Sequence, residues 1–310
     1  MSNIPSIHFI LPAGGVRGAF QAGFIYEMFT KYKNLFTIAR IDGTSVGALN
    51  GFAVINDNVE FLSEIWNNIT SINDLFSSWS ESYVLNEYLS YYHGFYKGGL
   101  YSNEKLRSMI ENASRKNWDS YDDEYKDKYS CAVVNTGTAK SKYVKGSDKN
   151  IIDYITASAS PWVVSNPVNI DHEMYADGGL LETYPIKFID KCNADITVVV
   201  GYDQEHFSFI KRENDNILTY LANLIDISRF NSVNTHKLKE IIKQDNVVAL
   251  ANPMSILFTE FSKEAITDGF DSGKEFANTF ISTYIKDYSV DKFKQIMTDD
   301  LNPFEKLYNS

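Results

Sequence analysis

The sequence predicts an α/β fold of three layers, in which helices cover both faces of a mostly parallel central sheet. Short, continuously apolar strand segments alternate with longer helical segments along the 310 residues. Strands that are apolar at successive positions are typical of a parallel sheet buried on both faces. Because no break in composition marks a second domain, we expect a single domain over 1–310, with a core at about 6–285 and a helical C-terminal extension at about 286–310.

The first four predicted elements form two strand–helix units. Ile7 to Leu11 is an apolar run followed by a proline and two glycines, which indicates a buried strand. Apolar residues at helical spacing predict a helix from 17 to about 31. A second strand is expected over 36–41, closed by Asp42-Gly43, and a helix of small residues over 45–53.

The later elements follow from the same patterns. Residues 59–120 have an irregular helical pattern, whereas 195–201 is the clearest buried strand because it is apolar at most positions. The other expected elements are a strand over 128–137 with a hairpin partner at 141–144, helices over 149–159 and 214–243, a strand over 247–250, and helices beyond it.

Composition and charge narrow the class of function. With 44% hydrophobic and 22% charged residues, the chain is expected to be globular. A net charge of −11 without a dense Lys/Arg run disfavours binding to nucleic acid and electrostatic attachment to anionic lipid. Any membrane contact is therefore expected to be peripheral and to depend on apolar and aromatic side chains. Cys131 and Cys192 have neither metal-site nor disulfide spacing, which suits a reducing compartment.

No targeting or membrane-spanning segment is predicted. The first residues lack a basic stretch followed by a long apolar one, as a signal peptide requires. No run approaches the about 18 apolar residues of a transmembrane helix. We therefore expect a cytoplasmic location, peripheral at membranes at most.

A glycine-rich turn separates the first strand from the first helix. Its sequence is Ala13-Gly14-Gly15-Val16-Arg17-Gly18, and glycines let the backbone turn tightly with its N–H groups close to a ligand. Such a turn suits a phosphate or the oxyanion of an acyl-transfer intermediate. It also nearly matches the dinucleotide fingerprint G-x-G-x-x-G, with Asp42 where a ribose-binding acid is expected. On this motif alone, a dinucleotide-binding protein remains an alternative.

A second motif favours an enzyme. Gly43-Thr44-Ser45-Val46-Gly47 is G-x-S-x-G between a predicted strand and a predicted helix, which is the context of a nucleophile elbow. Small residues are needed two positions before and after the serine because the turn is strained and brings backbone segments together. Ser45 is therefore the candidate nucleophile, and an ordinary N-cap serine is the alternative.

The third motif supplies a candidate base. Asp177-Gly178-Gly179 on its own indicates a surface turn, but a serine nucleophile needs a base, and no other segment offers one so clearly. The α/β-hydrolase order would use Ser45, Asp177 and then a histidine, either His206 or His236. Only one strand is predicted before the elbow strand, and neither histidine lies in a glycine-rich loop. A dyad of Ser45 and Asp177 is therefore favoured.

Together the three motifs resemble the patatin-like phospholipase family. The glycine turn with Arg17-Gly18, the G-x-S-x-G and the late Asp-Gly-Gly occur in the family's order and approximate spacing, and the resemblance covers about 6–285. There are two departures, because Ala13 replaces the first glycine of the turn and Thr183 stands where the family often has asparagine. Further similar segments are Gly99-Leu100-Tyr101, Ala157 to Pro161, Pro167-Val168 and Ile266 to Phe270.

The resemblance implies a lipid acyl hydrolase of the phospholipase A or lysophospholipase type, acting in lipid degradation and lipid metabolism. In the family's scheme Asp177 accepts the proton of Ser45, which attacks an ester carbonyl. An acyltransferase on the same fold remains an alternative, and neither reaction needs a metal or an organic cofactor. The implied oxyanion donors are the N–H groups of Gly14, Gly15 and Val16, and the implied supporting residues are Arg17, Gly18, Gly43, Gly47, Gly178 and Gly179.

Two further expectations concern the substrate. Arg17 is expected either to brace the glycine turn or to attract a phosphate head group. Residues 76–101 are unusually rich in aromatic side chains, which predicts either ordinary packing or an apolar wall for acyl chains.

Overall fold

The computed structural model of the chain describes residues 4–78, 98–114, 118–202, 224, 226–227, 233–254, 256, 258–298 and 304. All statements about the structure concern these residues. Two predicted segments lie partly outside the described residues, namely the helix over 214–243 and the aromatic segment over 76–101. His93 and His206 lie wholly outside them. The strands are β1 (Ser6–Leu11), β2 (Thr37–Thr44), β3 (Gly99–Tyr101), β4 (Tyr129–Asn135), β5 (Lys140–Lys145), β6 (Val163–Ser165), β7 (Val168–Ile170), β8 (Glu173–Asp177), β9 (Ile196–Tyr202) and β10 (Val247–Ala251).

An eight-stranded mixed sheet forms the centre of the fold, with the order β10-β9-β1-β2-β4-β8-β7 and β5 paired with β4. The pairs from β10 to β4 are parallel, whereas β5, β7 and β8 run antiparallel to their neighbours. This arrangement confirms the prediction of a mostly parallel sheet. The hairpin of β4 and β5 is also confirmed, whereas the short strands β3, β6 and β7 have no counterpart among the predicted elements.

Helices cover the sheet and pack on one another through aromatic side chains. Phe20 of the first helix lies edge-on to Phe276 at a centroid distance of 5.0 Å, and Phe24 contacts Phe280 at 5.7 Å. No helix within the described ranges has the length and apolar composition that crossing a bilayer requires. The described helices are α1 (Gly18–Lys31), α2 (Val46–Ile55), α3 (Glu60–Asn68), α4 (Glu104–Ser114), α5 (Asp123–Lys126), α6 (Ile151–Ser158), α7 (Val233–Ile241), α8 (Lys263–Phe280), continued by a π-helical turn (Ile281–Ile285), and α9 (Val290–Thr298).

The register of the sheet brings the predicted motifs to one edge. Leu11, the last residue of β1, pairs with Gly43 of β2, so the glycine turn and the G-x-S-x-G turn leave adjacent parallel strands at the same end. Thr44 pairs with Ala132 of β4, and the next residue of β4, Val133, pairs with Asp177 of β8. Ser45 and Asp177 therefore reach the same level of the sheet from opposite sides of β4.

Strand β2 extends further than the sequence predicts. The expected end was Ile41, but the strand continues through Asp42 and Gly43 to Thr44. Its last residues pair with β1 on one side and with β4 on the other. Because both neighbours supply backbone partners, the chain stays extended up to the nucleophile candidate, and Asp42 becomes a buried strand residue rather than part of a turn.

Candidate active site

The nucleophile candidate lies on a strained turn between β2 and α2. Ser45 has φ 57° and ψ −126°, a backbone conformation that is costly for any residue with a side chain. Two close approaches explain the flanking glycines. A Cβ at Gly47 would lie 2.0 Å from the carbonyl oxygen of Leu11, and one at Gly43 would lie 2.5 Å from the carbonyl oxygen of Gly47. The main-chain N–H of Ser45 donates to Ser158 Oγ at 2.9 Å, which helps to hold the turn.

Ser45 and Asp177 are in direct contact, although 132 residues separate them. Ser45 Oγ donates to Asp177 Oδ2 at 2.7 Å, and each residue is only 7% exposed. The N–H of Gly179 donates to the other carboxylate oxygen, Oδ1, at 2.7 Å. The main-chain N–H of Asp177 donates to the carbonyl of Ser160 at 3.0 Å. The carboxylate is thus oriented toward the hydroxyl by its own main chain and by the glycine turn that follows it.

The loop after Asp177 is tied to the glycine turn of β1. The N–H of Ala13 donates to the carbonyl of Thr183 at 2.9 Å, and Thr183 Oγ1 donates to the carbonyl of Gly179 at 3.0 Å. A Cβ at Gly178 would lie 2.2 Å from the carbonyl oxygen of Ala132, so only glycine fits there. The two positions that depart from the family pattern, Ala13 and Thr183, therefore bond to each other across the site.

The glycine turn presents two N–H groups next to the dyad. Among the described residues, the N–H groups of Gly14 and Gly15 have no hydrogen-bond acceptor, and both residues line a small pocket together with Ser45 and Asp177. The N–H of Val16 differs from the prediction, because it donates to the carbonyl of Phe258 at 2.9 Å. Val16 is therefore not a free oxyanion donor here, and two candidate donors remain.

Gly15 is the tightest point of this turn. Its φ is +55°, and a Cβ there would lie 2.3 Å from the carbonyl oxygen of Phe258. The segment that carries Phe258, between β10 and α8, thus rests directly on the turn. No sequence motif marked Phe258, and only its long-range contact with the turn identifies it as part of the site.

Arg17 is buried beneath the turn rather than directed toward solvent. Its side chain is 1% exposed, and Nη2 lies 2.8 Å from Asp226 Oδ1. Its Nε donates to the carbonyl of Gly14 at 3.4 Å. Of the two roles expected for Arg17, these contacts match bracing of the turn, because a buried and paired guanidinium does not reach a head group outside.

The nucleophile helix and the glycine turn are also joined by a buried amide. Asn50 of α2 donates through Nδ2 to the carbonyl of Gly18 at 3.1 Å and accepts from Trp66 Nε1 at 3.1 Å. A Cβ at Gly18 would lie 2.4 Å from the side chain of Val46, so the two helices touch at this point. The sequence did not single out Asn50, since a polar residue inside a helix carries no motif.

A large apolar pocket opens beside Ser45. It encloses about 980 Å³ including its open mouth, and its wall comes mainly from α2, α3, α4 and the segment after β10. Of the predicted aromatic wall over 76–101, Phe76 lines this pocket, and residues 79–97 lie outside the described part of the chain. Representative wall residues are Leu49, Phe61, Trp66, Phe76, Met109 and Phe261.

Asp42 forms a separate buried cluster and does not serve a ribose. Its Oδ2 lies 2.7 Å from His8 Nε2 and 2.8 Å from Arg40 Nε, and Ser130 Oγ donates to its Oδ1. Burial alone raises the pKa of Asp42, but the contacts with His8 and Arg40 outweigh it and lower that pKa. Because Asp42 is fully buried, the dinucleotide-binding interpretation loses the acidic residue on which it depends.

Comparisons with known proteins identify the family and the fold of the chain. A family model described as patatin-like phospholipase matches residues 9–189, which is more than half of the chain and contains both Ser45 and Asp177. A search of curated proteins found no match. Twelve chains of solved structures match, among them the crystal structure of VipD from Legionella pneumophila, at 11% sequence identity and a TM-score of 0.50. That match covers 90% of this chain and 66% of the VipD chain, and at this identity it shows a shared fold alone.

Proposed function

The chain belongs to the patatin-like phospholipase family, and from that premise we propose that it hydrolyses carboxylic esters of lipids with Ser45 and Asp177 as a catalytic dyad. One observation carries the proposal: the hydrogen bond of 2.7 Å between Ser45 Oγ and Asp177 Oδ2. The free N–H groups of Gly14 and Gly15 beside it supply the second element that acyl transfer requires.

The proposed mechanism uses two half-reactions. Asp177 accepts the hydroxyl proton of Ser45 while the serine oxygen attacks the ester carbonyl, and the N–H groups of Gly14 and Gly15 stabilise the oxyanion. The tetrahedral intermediate collapses, the C–O bond to the alcohol breaks, and Asp177 returns the proton to the leaving alcohol. Water then attacks the acyl-serine, giving a proton to Asp177. Collapse of the second intermediate releases the fatty acid, and Ser45 recovers the proton.

The pocket beside Ser45 supports a long acyl chain as the group that is transferred. It has the volume of a ligand site, and almost all of its lining residues are apolar, such as Leu49 and Phe61. The smaller pocket is lined by Asp177, Trp162 and Leu180. It shares Gly15, Ser45, Pro161 and Phe258 with the large pocket, so the two meet at the serine. We assign the large pocket to the acyl chain and the smaller one to the alcohol part of the ester.

The mouth of the smaller pocket suits contact with a lipid surface. Trp162 lines it and is 41% exposed, and Leu181, adjacent to the lining residue Leu180, is 42% exposed. Large exposed apolar side chains at the entrance of a lipid-binding site favour insertion at the interface, where tryptophan is well accommodated. We propose that this part of the molecule makes the peripheral membrane contact expected from the sequence.

A chemical label tests the dyad directly. A fluorophosphonate probe is expected to modify Ser45, as mapped by peptide mass spectrometry, and Ser45→Ala is expected to abolish both labelling and release of fatty acid from phosphatidylcholine vesicles. Ser282→Ala is the matched control, because Ser282 is an exposed helical serine. Labelling at another serine, or undiminished hydrolysis by Ser45→Ala, would contradict the proposal. Acylated alcohol in place of free fatty acid would indicate an acyltransferase.

A second experiment tests the lipid surface. The double variant Trp162→Ala/Leu181→Ser is expected to lose about tenfold or more of its activity on vesicles, since each buried apolar side chain contributes about 1.5–3 kcal/mol. Its activity on soluble 4-nitrophenyl butyrate should change little. Equal losses on both substrates would mean that the two residues act on the reaction centre instead of on the membrane.

A further inference from the structure

A buried ion pair lies directly beneath the proposed oxyanion donors. Arg17 Nη2 and Asp226 Oδ1 are 2.8 Å apart, both side chains are 1% exposed, and 209 residues separate them in the sequence. Removing two charges from water costs several kcal/mol for each ion, and an apolar pair of similar volume is often at least as stable. Stability alone therefore gives no reason for a charged pair at this position.

Arg17 controls one peptide group of the turn. The carbonyl oxygen of Gly14 accepts from the main-chain N–H of Arg17 at 3.2 Å and from its Nε at 3.4 Å. This carbonyl belongs to the same planar trans peptide unit as the N–H of Gly15. Because the two groups point in opposite directions, fixing the carbonyl also fixes the direction of the N–H.

We propose that Asp226 is a positioning residue for the reaction, which holds the guanidinium of Arg17 and thereby sets the direction of the Gly15 N–H toward the oxyanion. This inference rests on the proposed function. Asp226 does not touch the substrate and acts through Arg17 and the Gly14–Gly15 peptide. Preorganised donors are effective only when they are aligned before the charge develops, so a small rotation of this peptide is costly.

The rest of the turn has independent supports. Asn252 Nδ2 donates to the carbonyl of Arg17 at 3.0 Å, and the N–H of Val16 donates to Phe258. Loss of Asp226 is therefore expected to loosen the guanidinium without dismantling the turn. Because breaking a buried ion pair also lowers the free energy of unfolding, kcat is compared per folded protein.

The first test removes the charge and keeps the shape. Asp226→Asn is expected to lower kcat for 4-nitrophenyl butyrate by about 10- to 100-fold, below the loss for deleting an oxyanion donor, with KM within about twofold. Asp153→Asn is the control, because Asp153 pairs with Arg107 at the surface, and its kcat should equal that of the wild type. A wild-type kcat for Asp226→Asn would overturn the proposal.

The second test separates positioning from stability. The double variant Arg17→Met/Asp226→Leu replaces the ion pair by apolar side chains and is expected to keep the wild-type melting temperature while its kcat stays at least tenfold low. If the double variant regains full kcat together with stability, the ion pair is only structural and the proposal is wrong. This variant also keeps the test decisive if Asp226→Asn fails to fold.

Failure of the inference is distinguishable from failure of the proposed function. Hydrolysis that persists in Ser45→Ala would refute the dyad whatever the Asp226 variants do. Loss of activity in Ser45→Ala together with wild-type kcat in Asp226→Asn would refute only the positioning role.

Discussion

Two aspartates, on the strands that flank β4 on either side, make hydrogen bonds of equal length in different surroundings. Asp177 Oδ2 lies 2.7 Å from Ser45 Oγ, and Asp42 Oδ2 lies 2.7 Å from His8 Nε2. Ser45 follows Asp42 by only three positions, directly after the end of β2. A His–Asp pair so close to a candidate nucleophile resembles part of a catalytic triad, yet it is not oriented toward the reaction centre.

The surroundings distinguish the two regions. Asp177 and Ser45 line pockets and lie beside free N–H groups, whereas His8 and Asp42 are 0% exposed and share their cluster with Arg40. A short hydrogen bond to a carboxylate is therefore a poor indicator of catalysis by itself. Access for the substrate and donors for the developing charge are what separate a site from a buried ion pair.

The largest effect is expected for Asp177→Asn. The amide keeps the shape but does not accept the serine proton, so kcat should fall by about 10²–10⁴-fold, the usual contribution of a general base. The melting temperature should change little, because Gly179 still finds a carbonyl oxygen. Steady-state hydrolysis of 4-nitrophenyl butyrate measures kcat, and thermal unfolding measures the melting temperature. A kcat near that of the wild type would place the base elsewhere.

For Asp42→Asn we expect a loss of stability with an unchanged kcat. Loss of this carboxylate leaves the cations of His8 and Arg40 without their shared partner, and breaking a buried pair costs about 3–5 kcal/mol of unfolding free energy. The folded fraction should retain the wild-type kcat, since Asp42 does not touch the pockets. Denaturant unfolding and single-turnover labelling of Ser45 test both parts. A large loss of labelling in fully folded protein would mean that the cluster does act on the reaction.

A smaller effect is expected at the acyl pocket. Leu49→Trp adds volume inside the large pocket next to Ser45, so activity on 4-nitrophenyl palmitate should fall about tenfold or more relative to the butyrate ester. A pocket that merely packs the core would show no dependence on chain length. An equal decrease on both esters would therefore contradict the assignment of this pocket to the acyl chain.

The smallest expected effect is the pH dependence of the buried cluster. Burial lowers the pKa of His8, but the hydrogen bond and charge of Asp42, together with a contact to Cys192, outweigh it and raise that pKa above 6.5. A raised pKa in the folded state contributes stability that is complete below the ordinary pKa and is lost as pH rises through the folded value. The lowered pKa of Asp42 gives the reverse dependence, because its contribution to stability is present above pH 3.8 and is lost as the pH falls below that value.

The measurement compares the wild type with His8→Asn. The difference in melting temperature between them should be greatest between pH 3.8 and 6.5 and should shrink at higher pH. A difference that stays constant as the pH rises well above 6.5 would mean that His8 is neutral in the folded protein.

The sequence predicted the parts of the site that are carried by motifs. The turns at Gly14-Gly15 and Ser45 follow apolar strands, and the strand–turn–helix context made both recognisable. The parallel centre of the sheet was predictable for the same reason. Asp177 required an additional argument, since an Asp-Gly-Gly turn has no chemical meaning until a serine needs a base.

The remaining parts depend on contacts between distant segments. Asp226, Phe258 and Asn50 belong to no motif, and a single polar or aromatic residue in a helix or loop gives no signal of its partner. Val16 illustrates the difficulty. Its N–H was predicted as an oxyanion donor, but it donates to the carbonyl of Phe258, which lies in a segment with no recognisable pattern. The predicted end of β2 was also wrong. Asp42-Gly43 stays extended because β1 and β4 pair with it on both sides, and the sequence of β2 alone does not show this.

The ion pair between Arg17 and Asp226 has a consequence for synthesis of the protein. The proposed nucleophile, the proposed base and the glycine turn all lie between residues 9 and 189, whereas the carboxylate that pairs with Arg17 leaves the ribosome later. A nascent polypeptide that already carries Ser45 and Asp177 still lacks Asp226 and Phe258. We therefore expect full lipolytic competence to arise only after Phe258 has been synthesised, so that chains interrupted between Asp177 and Asp226 are poor esterases.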